Sequence, residues 1–493
     1  MEEVKKDRGL VLKQFLTYCS AHGLAGIQRN IQPFRLAWLI LVLVFWGIMI
    51  WQSAVVVLDY FSHGINVDLR IRHSENLAFP AVSICNLNPL KLGRLQALND
   101  SGTKQFLALL NASNEQRSWE QLAMAGKEDG SVQLTEDEEL REIFYYSAWE
   151  QAWDAAELGH QMEDMLLDCS FHRRQCYPAN FSRWQHPHYG NCFTFLHDKN
   201  DFSAHAGPNY GLSISLFAED DAYLNRLSPS LGFRVTLGAV EYHPFPGDAG
   251  FSIATGQATS VAVRQTIIRR LPLPYDRTDC RHPRHELSLL DMWERQLESA
   301  GLNLEANYTN MVCTKQCVGQ DVIRQCHCIH TAHVTRLAVK WMNVSQATPA
   351  CDIRNATVKN CVFQHASSIG KGSCAAECPQ ACEEHDYASQ ITSIDWPTQA
   401  YVEAKRVAWA ARNSDASFVD DADARKAMAK LDVYFLTFNY EEVVEKPALY
   451  LYGMLGNIGG TIGLYGGLSF LTLFEFLELF CRYLSNRPVK ENS

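Results

Sequence analysis

ALYLYGMLGNIGGTIGLYGGLSFLTLFEFLELF, residues Ala448–Phe480, is an apolar run that carries a glycine series and two glutamates. Gly456, Gly459 or Gly460, Gly463 and Gly467 recur at steps of three and four, which gives a helix one smooth face and lets a neighbouring backbone come close. A packing interface in an ordinary two-span protein would use the same glycines. It would not need the polar row Ser469, Thr472, Glu475 and Glu478, because acidic groups inside a membrane helix face a bundle interior or an aqueous cavity. Steps of three residues drift by about 60° each around a straight helix, so Ser469 and Glu478 cannot face one axis together. Glu475 is the better candidate for a pore ring, with Glu478 nearer an inner vestibule.

A second apolar stretch, LAWLILVLVFWGIMIWQSAVVVL at Leu36–Leu58, is 23 residues long, enough at 1.5 Å per residue to cross a hydrocarbon core of roughly 30 Å. A cleaved signal peptide is disfavoured by its length and by the long polar leader before it. Between the two stretches lie fourteen of the sixteen cysteines and the Asn-x-Ser/Thr sites Asn99, Asn111, Asn180, Asn307, Asn343 and Asn355. That density belongs to an oxidising compartment, so the middle of the chain is expected outside the cell and both termini inside. Lys5, Lys6, Arg8, Lys13, Arg29 and Arg35 before the first stretch, and Arg482, Arg487 and Lys490 after the second, fit that orientation. The formal charge of −11 argues against a nucleic-acid partner.

Outward from the first span, DLRIRHSENLAFPAVSICNLNP is expected to form strand. KLGRLQALND, KQFLALLNAS, LREIFYYSAWEQAWDAAEL and HQMEDMLLDC carry helical spacing, whereas NCFTFLH, YGLSISLFA, LGFRVTLGAV and TSVAVRQTIIRRL are β-rich. Residues 280–385 form a cysteine-rich block. Residues 398–430 are expected helical, and LDVYFLTFNYEEV leads as a strand into the second span. The fold class is an α+β membrane protein in which helices are inserted into a sheet whose first and last strands join the two membrane helices.

Taken together, MLGNIGGTIGLYGGLS at Met454–Ser469, SAHGLAGI at Ser20–Ile27, AFPAVSICNLN at Ala78–Asn88, GHQMEDMLLDCSF and YGNCFTF resemble the degenerin/epithelial sodium channel superfamily, especially its acid-sensing branch. The resemblance covers almost the whole chain. It implies a homotrimer, or a heterotrimer with related subunits, around a sodium-conducting pore in the plasma membrane, each subunit with a hand-like outer domain. It also implies a selectivity filter at Gly467, Leu468 and Ser469, where backbone carbonyls replace part of an ion's hydration shell. Leu468 departs from the small middle residue usual in the family. Asn457, Thr461, Glu475 and Glu478 are implied to line the pore, and His22-Gly23 is implied to be a gating motif folded back into it. Asn457 stands where many relatives have Asp, which should weaken divalent-cation binding there. Tyr275 matches the family's Trp at the base of the thumb, with Tyr60 and Phe61 as its available coupling partners. The implied disulfides pair Cys85 with Cys192, Cys169 with Cys176, Cys280 with Cys382, Cys313 with Cys378, Cys317 with Cys374, Cys326 with Cys361 and Cys328 with Cys351. Cys19 and Cys481 would stay reduced.

The expected organisation is a cytosolic segment 1–33, a membrane helix 34–60, an extracellular domain 61–446 with a finger at about 90–167 and a thumb at about 280–385, a second membrane helix 447–484 and a tail 485–493. Relatives opened by acid crowd carboxylates between finger and thumb, which raises their pKa values. Here the matching segment VFQHASSIGKG after Cys361 has no Asp or Glu, and only Glu241 and Asp248 are left nearby. A sodium-preferring, amiloride-sensitive channel opened by an extracellular peptide or small molecule is therefore expected, with proton gating the alternative and modulation by His63, His243 or His365 open. A non-conducting two-span receptor leaves Glu475 and Glu478 idle, and an ATP-gated channel needs a nucleotide pocket that is not visible. No enzyme motif and no cofactor is found, and a zinc cluster at Cys326, Cys328, His330 and His333 competes with the disulfides.

Overall fold

The computed structural model describes residues 15–16, 18–24, 27, 32–111, 134–195, 202–203, 205–275, 280, 287–331, 348–366, 373–410 and 424–485. The chain divides into two units, the first made of Met1–Val67, Leu273–Arg277 and Glu445–Ser493, the second of Asp68–Pro272 and Thr278–Val444.

In the first unit, helix α1 (Gln32–Phe61) contains one continuous apolar span, Phe34–Phe61, with a mean hydropathy of 2.3. Its side chains are mostly exposed, as for a helix whose solvent is lipid rather than a protein core. The glycine-rich region forms helix α2 (Leu451–Thr461), a π turn (Ile462–Gly466) and helix α3 (Phe470–Ser485). Leu451–Gly466 and Phe470–Cys481 are apolar enough to span together and are bent by 67° at the break.

The second unit is built on sheets. The larger one has eight strands. Its path runs β1 (Ile65–His73), β15 (Asn439–Pro447), β12 (Gln257–Arg269), β14 (Met428–Phe435), β9 (Leu212–Phe217), β4 (Leu166–Phe171) and β5 (Arg174–Gln175), and β13 (Glu383–Asp395) pairs with β12. The five-stranded sheet runs β11 (Phe251–Ala254), β10 (Gly232–Gly238), β3 (Ala81–Asn86), β7 (Gly190–Phe195) and β6 (Phe181–His186). Val82, Ile84, Ile214, Phe233, Val261 and Val433 lose nearly all their surface in one core shared by the two sheets. Burial of such side chains contributes about 1.5–3 kcal/mol each. Glu442 on β15 is held by Arg72 of β1 (2.5 Å) and by Arg269 of β12, so its buried carboxylate is neutralised by two guanidiniums and ties three strands together.

Between Leu90 and Leu167 the chain is helical at Leu92–Gln96, Ser101–Asn111, Glu136–Glu150, Ala155–Leu158 and Met162–Met165. Thr135 opens the helix Glu136–Glu150 with a capping box to Glu138. The cysteine-rich block carries helices Ser288–Ser299, Asn310–Cys326 and Ala356–Ala366. LDVYFLTFNYEEV is two strands rather than one, because the register against β12 shifts between Phe435 and Asn439; the halves run parallel to successive stretches of β12. Of residues 398–430, only Gln399–Ala410 is α-helical among the described residues.

Seven disulfides close the second unit: Cys85–Cys192, Cys169–Cys176, Cys280–Cys382, Cys313–Cys378, Cys317–Cys374, Cys326–Cys361 and Cys328–Cys351. Cys326 and Cys328 are thereby removed as zinc thiolates, which overturns the zinc alternative, and His333 lies outside the described residues. Cys19 and Cys481 are free. Alkylation of the unfolded, non-reduced protein should therefore modify Cys19 and Cys481 alone, read by peptide mass spectrometry. Stoichiometric alkylation of any other cysteine would break the bridge to which it belongs.

Candidate functional site

Glycine decides where the second apolar region breaks. The π turn ends at Gly467, whose φ of +63° is open to glycine and costly for other residues. Gly467 N–H still donates to Gly463 O (3.1 Å), and Leu468 N–H reaches back to Ile462 O at 3.5 Å. The helix then restarts at Phe470, with Ser469 just outside it. Ser469 Oγ accepts from Thr472 N (3.3 Å) and Thr472 Oγ1 accepts from Ser469 N (3.0 Å), a reciprocal cap at the start of α3. Ser469 therefore caps α3 from outside it, and Thr472, Glu475 and Glu478 all lie on that one helix.

The N-terminal segment sits against this break. His22 N–H donates to Gly466 O at 2.9 Å, and the His22 ring lies so near Gly467 that a Cβ there would fall 2.3 Å from Cγ. Ser20 N donates to Glu475 Oε2 (2.8 Å) and Ser20 Oγ shares a proton with Thr472 Oγ1 (2.7 Å). Phe15 packs on Phe476 with ring centres 5.2 Å apart, beside buried Cys19 and Ala21. Leu468 packs against the same cluster. Gly23 has a φ of +83°, and a Cβ on it would lie 2.4 Å from Val42 of α1. His22-Gly23 therefore touches both apolar elements, and glycine is needed at both close approaches.

Of the residues singled out in the sequence, His22, Gly23, Gly467, Leu468, Ser469 and Glu475 come together here. Thr461 lies apart on α2, its hydroxyl donating to Asn457 O (2.8 Å). Glu478 is exposed one turn beyond Glu475. Tyr465 was not among them, yet it stacks on Phe45 (6.1 Å) and accepts from Gln52 Nε2 (3.4 Å), fixing the π turn to α1. Tyr275 meets His63 edge-on at 5.5 Å, while Tyr60 meets Phe61. His63 takes that place because α1 ends at Phe61 and His63 adopts a φ of +53°, turning the chain out of the helix axis.

An amiloride-sensitive sodium channel family model matches residues 15–479. The chain belongs to that family. It is similar to the epithelial sodium channel subunit beta-2 of Xenopus laevis, with 23% identity covering 97% of this chain and 84% of the relative. Against the alpha subunit of Cavia porcellus identity is 25%, covering 90% and 71%. Against acid-sensing ion channel 1C of Danio rerio it is 24%, covering 99% and 86%. The protein is accordingly a sodium channel of the cell membrane and not an enzyme.

In the channel's outer unit two of the acids near the thumb are paired with basic side chains. Asp248 pairs with Lys315 (2.9 Å), and His365 Nδ1 pairs with Asp321 (3.0 Å). Glu241 offers its backbone carbonyl to Asn307 N (2.9 Å). His243 is buried among Trp184, Phe245 and Trp293, and burial pushes its pKa down to about 4. Burial, with Arg141 and Arg234 nearby, brings His188 down to about 4 as well. Residues 367–372 and Asn343 lie outside the described residues. Asn99, Asn111, Asn180 and Asn355 are exposed and Asn307 is half-buried.

Two outcomes follow from this geometry. Gly467→Ala should unseat the N-terminal segment, so that buried Cys19 reacts with a maleimide in the folded channel at a rate approaching that of exposed Cys481. An unchanged Cys19 rate would mean that His22 does not depend on Gly467. Separately, His188 and His243 stay neutral in the folded state down to about pH 4 while their unfolded counterparts gain protons below about pH 6.5. The unfolded state then binds more protons, so thermal stability should fall as pH drops from about 6.5 towards 4. Between pH 6.5 and 5, above the carboxylate range, His243→Phe should flatten that fall. An identical slope in wild type and variant would refute the assignment.

Proposed function

We propose that the chain is a subunit of a sodium-preferring, amiloride-sensitive cation channel opened by an extracellular ligand. The observation that carries this reading is the broken helix at Gly466–Ser469, occupied from the N-terminal side by His22. A glycine-rich break inside an apolar span leaves backbone carbonyls off the helical ladder, the chemistry a cation filter requires. Gly467, Leu468 and Ser469 act as the filter, Asn457 and Thr461 line the outer mouth, and Glu475 and Glu478 line the inner side. Leu451–Cys481 then forms one broken span, with α1 the other, both termini cytosolic and residues 61–446 outside.

Assembly as a trimer is supported by the glycine face. A Cβ placed on Gly456, Gly459, Gly460 or Gly463 meets nothing within 4 Å in a single chain, so that face is open to a neighbouring subunit. The relatives named as epithelial sodium channel subunits make a heteromeric assembly with related chains a consistent extension. Ligand opening is favoured over proton opening because Asp248 is already neutralised by Lys315 and the buried histidines resist protonation at mildly acidic pH. Protons then have little difference in affinity to offer between closed and open states.

Whole-cell recording with sodium replaced by potassium tests the filter. Gly467→Trp or Ser469→Phe should shift the reversal potential or abolish the amiloride-blocked current while surface biotinylation persists. Unchanged sodium-to-potassium permeability and conductance in both variants would remove the filter from these residues. A robust current on stepping from about pH 7.4 to about 6 that vanishes on neutralising Glu241 and Asp248 would replace ligand gating with proton gating.

A further inference from the structure

In the outer unit a cavity of about 380 Å³ opens where the helix Glu136–Glu150, the turn from Trp184 to Tyr189 and the helix Asn310–Cys326 converge. Its polar lining is biased towards donors and positive charge. Arg141 and Lys315 contribute two formal charges and Asp248, paired to Lys315 at 2.9 Å, removes one. Arg141 makes no ion pair among the described residues, and its Nε is buried without a hydrogen-bond partner. His243 Nδ1 is likewise buried and unpartnered, in a residue only 8% exposed. Arg141 Nε–H is a donor that lacks an acceptor, and His243 Nδ1 is a second in the tautomer that carries its proton there, so the cavity is short of an acceptor.

The imidazoles add to the bias. His188 N–H donates to His186 Nδ1 (3.1 Å), which leaves the proton of neutral His186 on Nε2 as a donor. His188 Nδ1 is held by Tyr145 OH at 2.6 Å. Around these groups the walls are flat and apolar: Trp184 and His243 meet edge-on at 5.6 Å, and His243 and Phe245 lie 4.7 Å apart. Met292 and Leu289 complete the apolar side. No three side chains among the described residues are placed to hold a metal ion. A small inorganic anion would leave most of the volume and the aromatic walls unused, because ligand pockets of about 300–1,000 Å³ bury most of a small organic molecule.

We infer that this cavity is a binding site for an aromatic carboxylate, its anionic end at Arg141, Lys315 and His243 and its ring between Trp184 and Phe245. A carboxylate accepts two hydrogen bonds from one guanidinium, which satisfies the orphaned Arg141 Nε, and it accepts from His243 Nδ1 in the tautomer protonated there, while the ring buries against apolar surface. The ligand would bridge three elements that belong to separate stretches of chain, as an opening stimulus must if it is to favour one of two arrangements. Assigning this ligand to opening rests on the ligand-gated reading above; its binding does not.

The test uses the full-length channel in nanodiscs with three probes of one shape, 2-naphthoate, neutral 2-naphthamide and cationic 2-naphthylmethylamine, followed by microscale thermophoresis. 2-Naphthoate should bind saturably and at least about ten-fold more tightly than the other two, as expected for a charge-assisted contact. Arg141→Gln and Lys315→Gln each bring the local formal charge from +1 to zero and should each weaken it by about five-fold or more. Using both variants guards against one failing to fold, and unfolding temperatures near wild type qualify each. Equal affinity for acid and amide, wild-type affinity in both folded variants, or no saturable binding would overturn the site. Recording separates the two claims. Binding without current leaves the site standing and removes ligand opening by it. A 2-naphthoate current that persists in both variants removes the site and leaves ligand gating intact.

Discussion

The close approach of the His22 imidazole to the backbone at Gly467 constrains everything around it. A side chain at Gly467 would collide with the ring, and the φ of +63° there would strain any L-residue. With glycine in place, the helix can widen into a π turn, stop, and restart one residue after Ser469. The carbonyl freed at Gly466 is taken up by His22 N–H instead of water. Ser469 and Thr472 then satisfy each other's amides at the new helix start. Ser20 and Glu475 follow from that placement, because the segment carrying His22 must pass beside the first turns of α3. An acidic residue beside a membrane helix start is thereby given a hydrogen-bond partner from the same chain.

A different constraint organises the outer unit. Its two sheets share one apolar core, and the helical block from 280 to 382 buries Leu290, Trp293, Leu297, Tyr308 and Val312 in a second one, but beyond these the block thins to Val322 and Val362 beside Cys328 and Cys351. Five of the seven bridges fall in or close that block. Cross-links there restrict the unfolded chain where burial alone is weak. The sheets need less help, and their strands β1, β12 and β15 are joined by the Glu442 carboxylate shared between two arginines.

Much of this was legible in the sequence, and the exceptions have physical causes. β7, β9, β10 and β12 stood out because their apolar residues alternate or run together between turn residues. β13 did not. EEHDYASQITSID is mostly polar and largely exposed, so its pairing with β12 comes from backbone hydrogen bonds that leave no hydrophobic pattern. The glycines marked where the second apolar region breaks, yet the cap made by Ser469 was hidden, because spacing alone does not tell a capping serine from one inside a helix. Tyr465 was passed over because a lone aromatic in an apolar span and a lone glutamine in another give no sign in the sequence that they face each other. The cysteine connectivity is not contained in spacing at all, and it entered through the family resemblance.

The electrostatics of the outer cavity then separate this chain from a proton sensor built on crowded carboxylates. In such a sensor, like charges raise one another's pKa, and protonation relieves repulsion as the walls close. Here Asp248 faces Lys315 instead of another acid, and Arg141 adds a charge with no ion-pair partner among the described residues. Protons added to this cavity would increase repulsion between like charges. An anion would reduce it, and would also satisfy the buried donor at Arg141 Nε. A stimulus shifts a two-state equilibrium only through its difference in affinity for the two states, so on the ligand-gated reading proposed above the charge that relieves the cavity has the sign of the stimulus. In this chain that charge is negative.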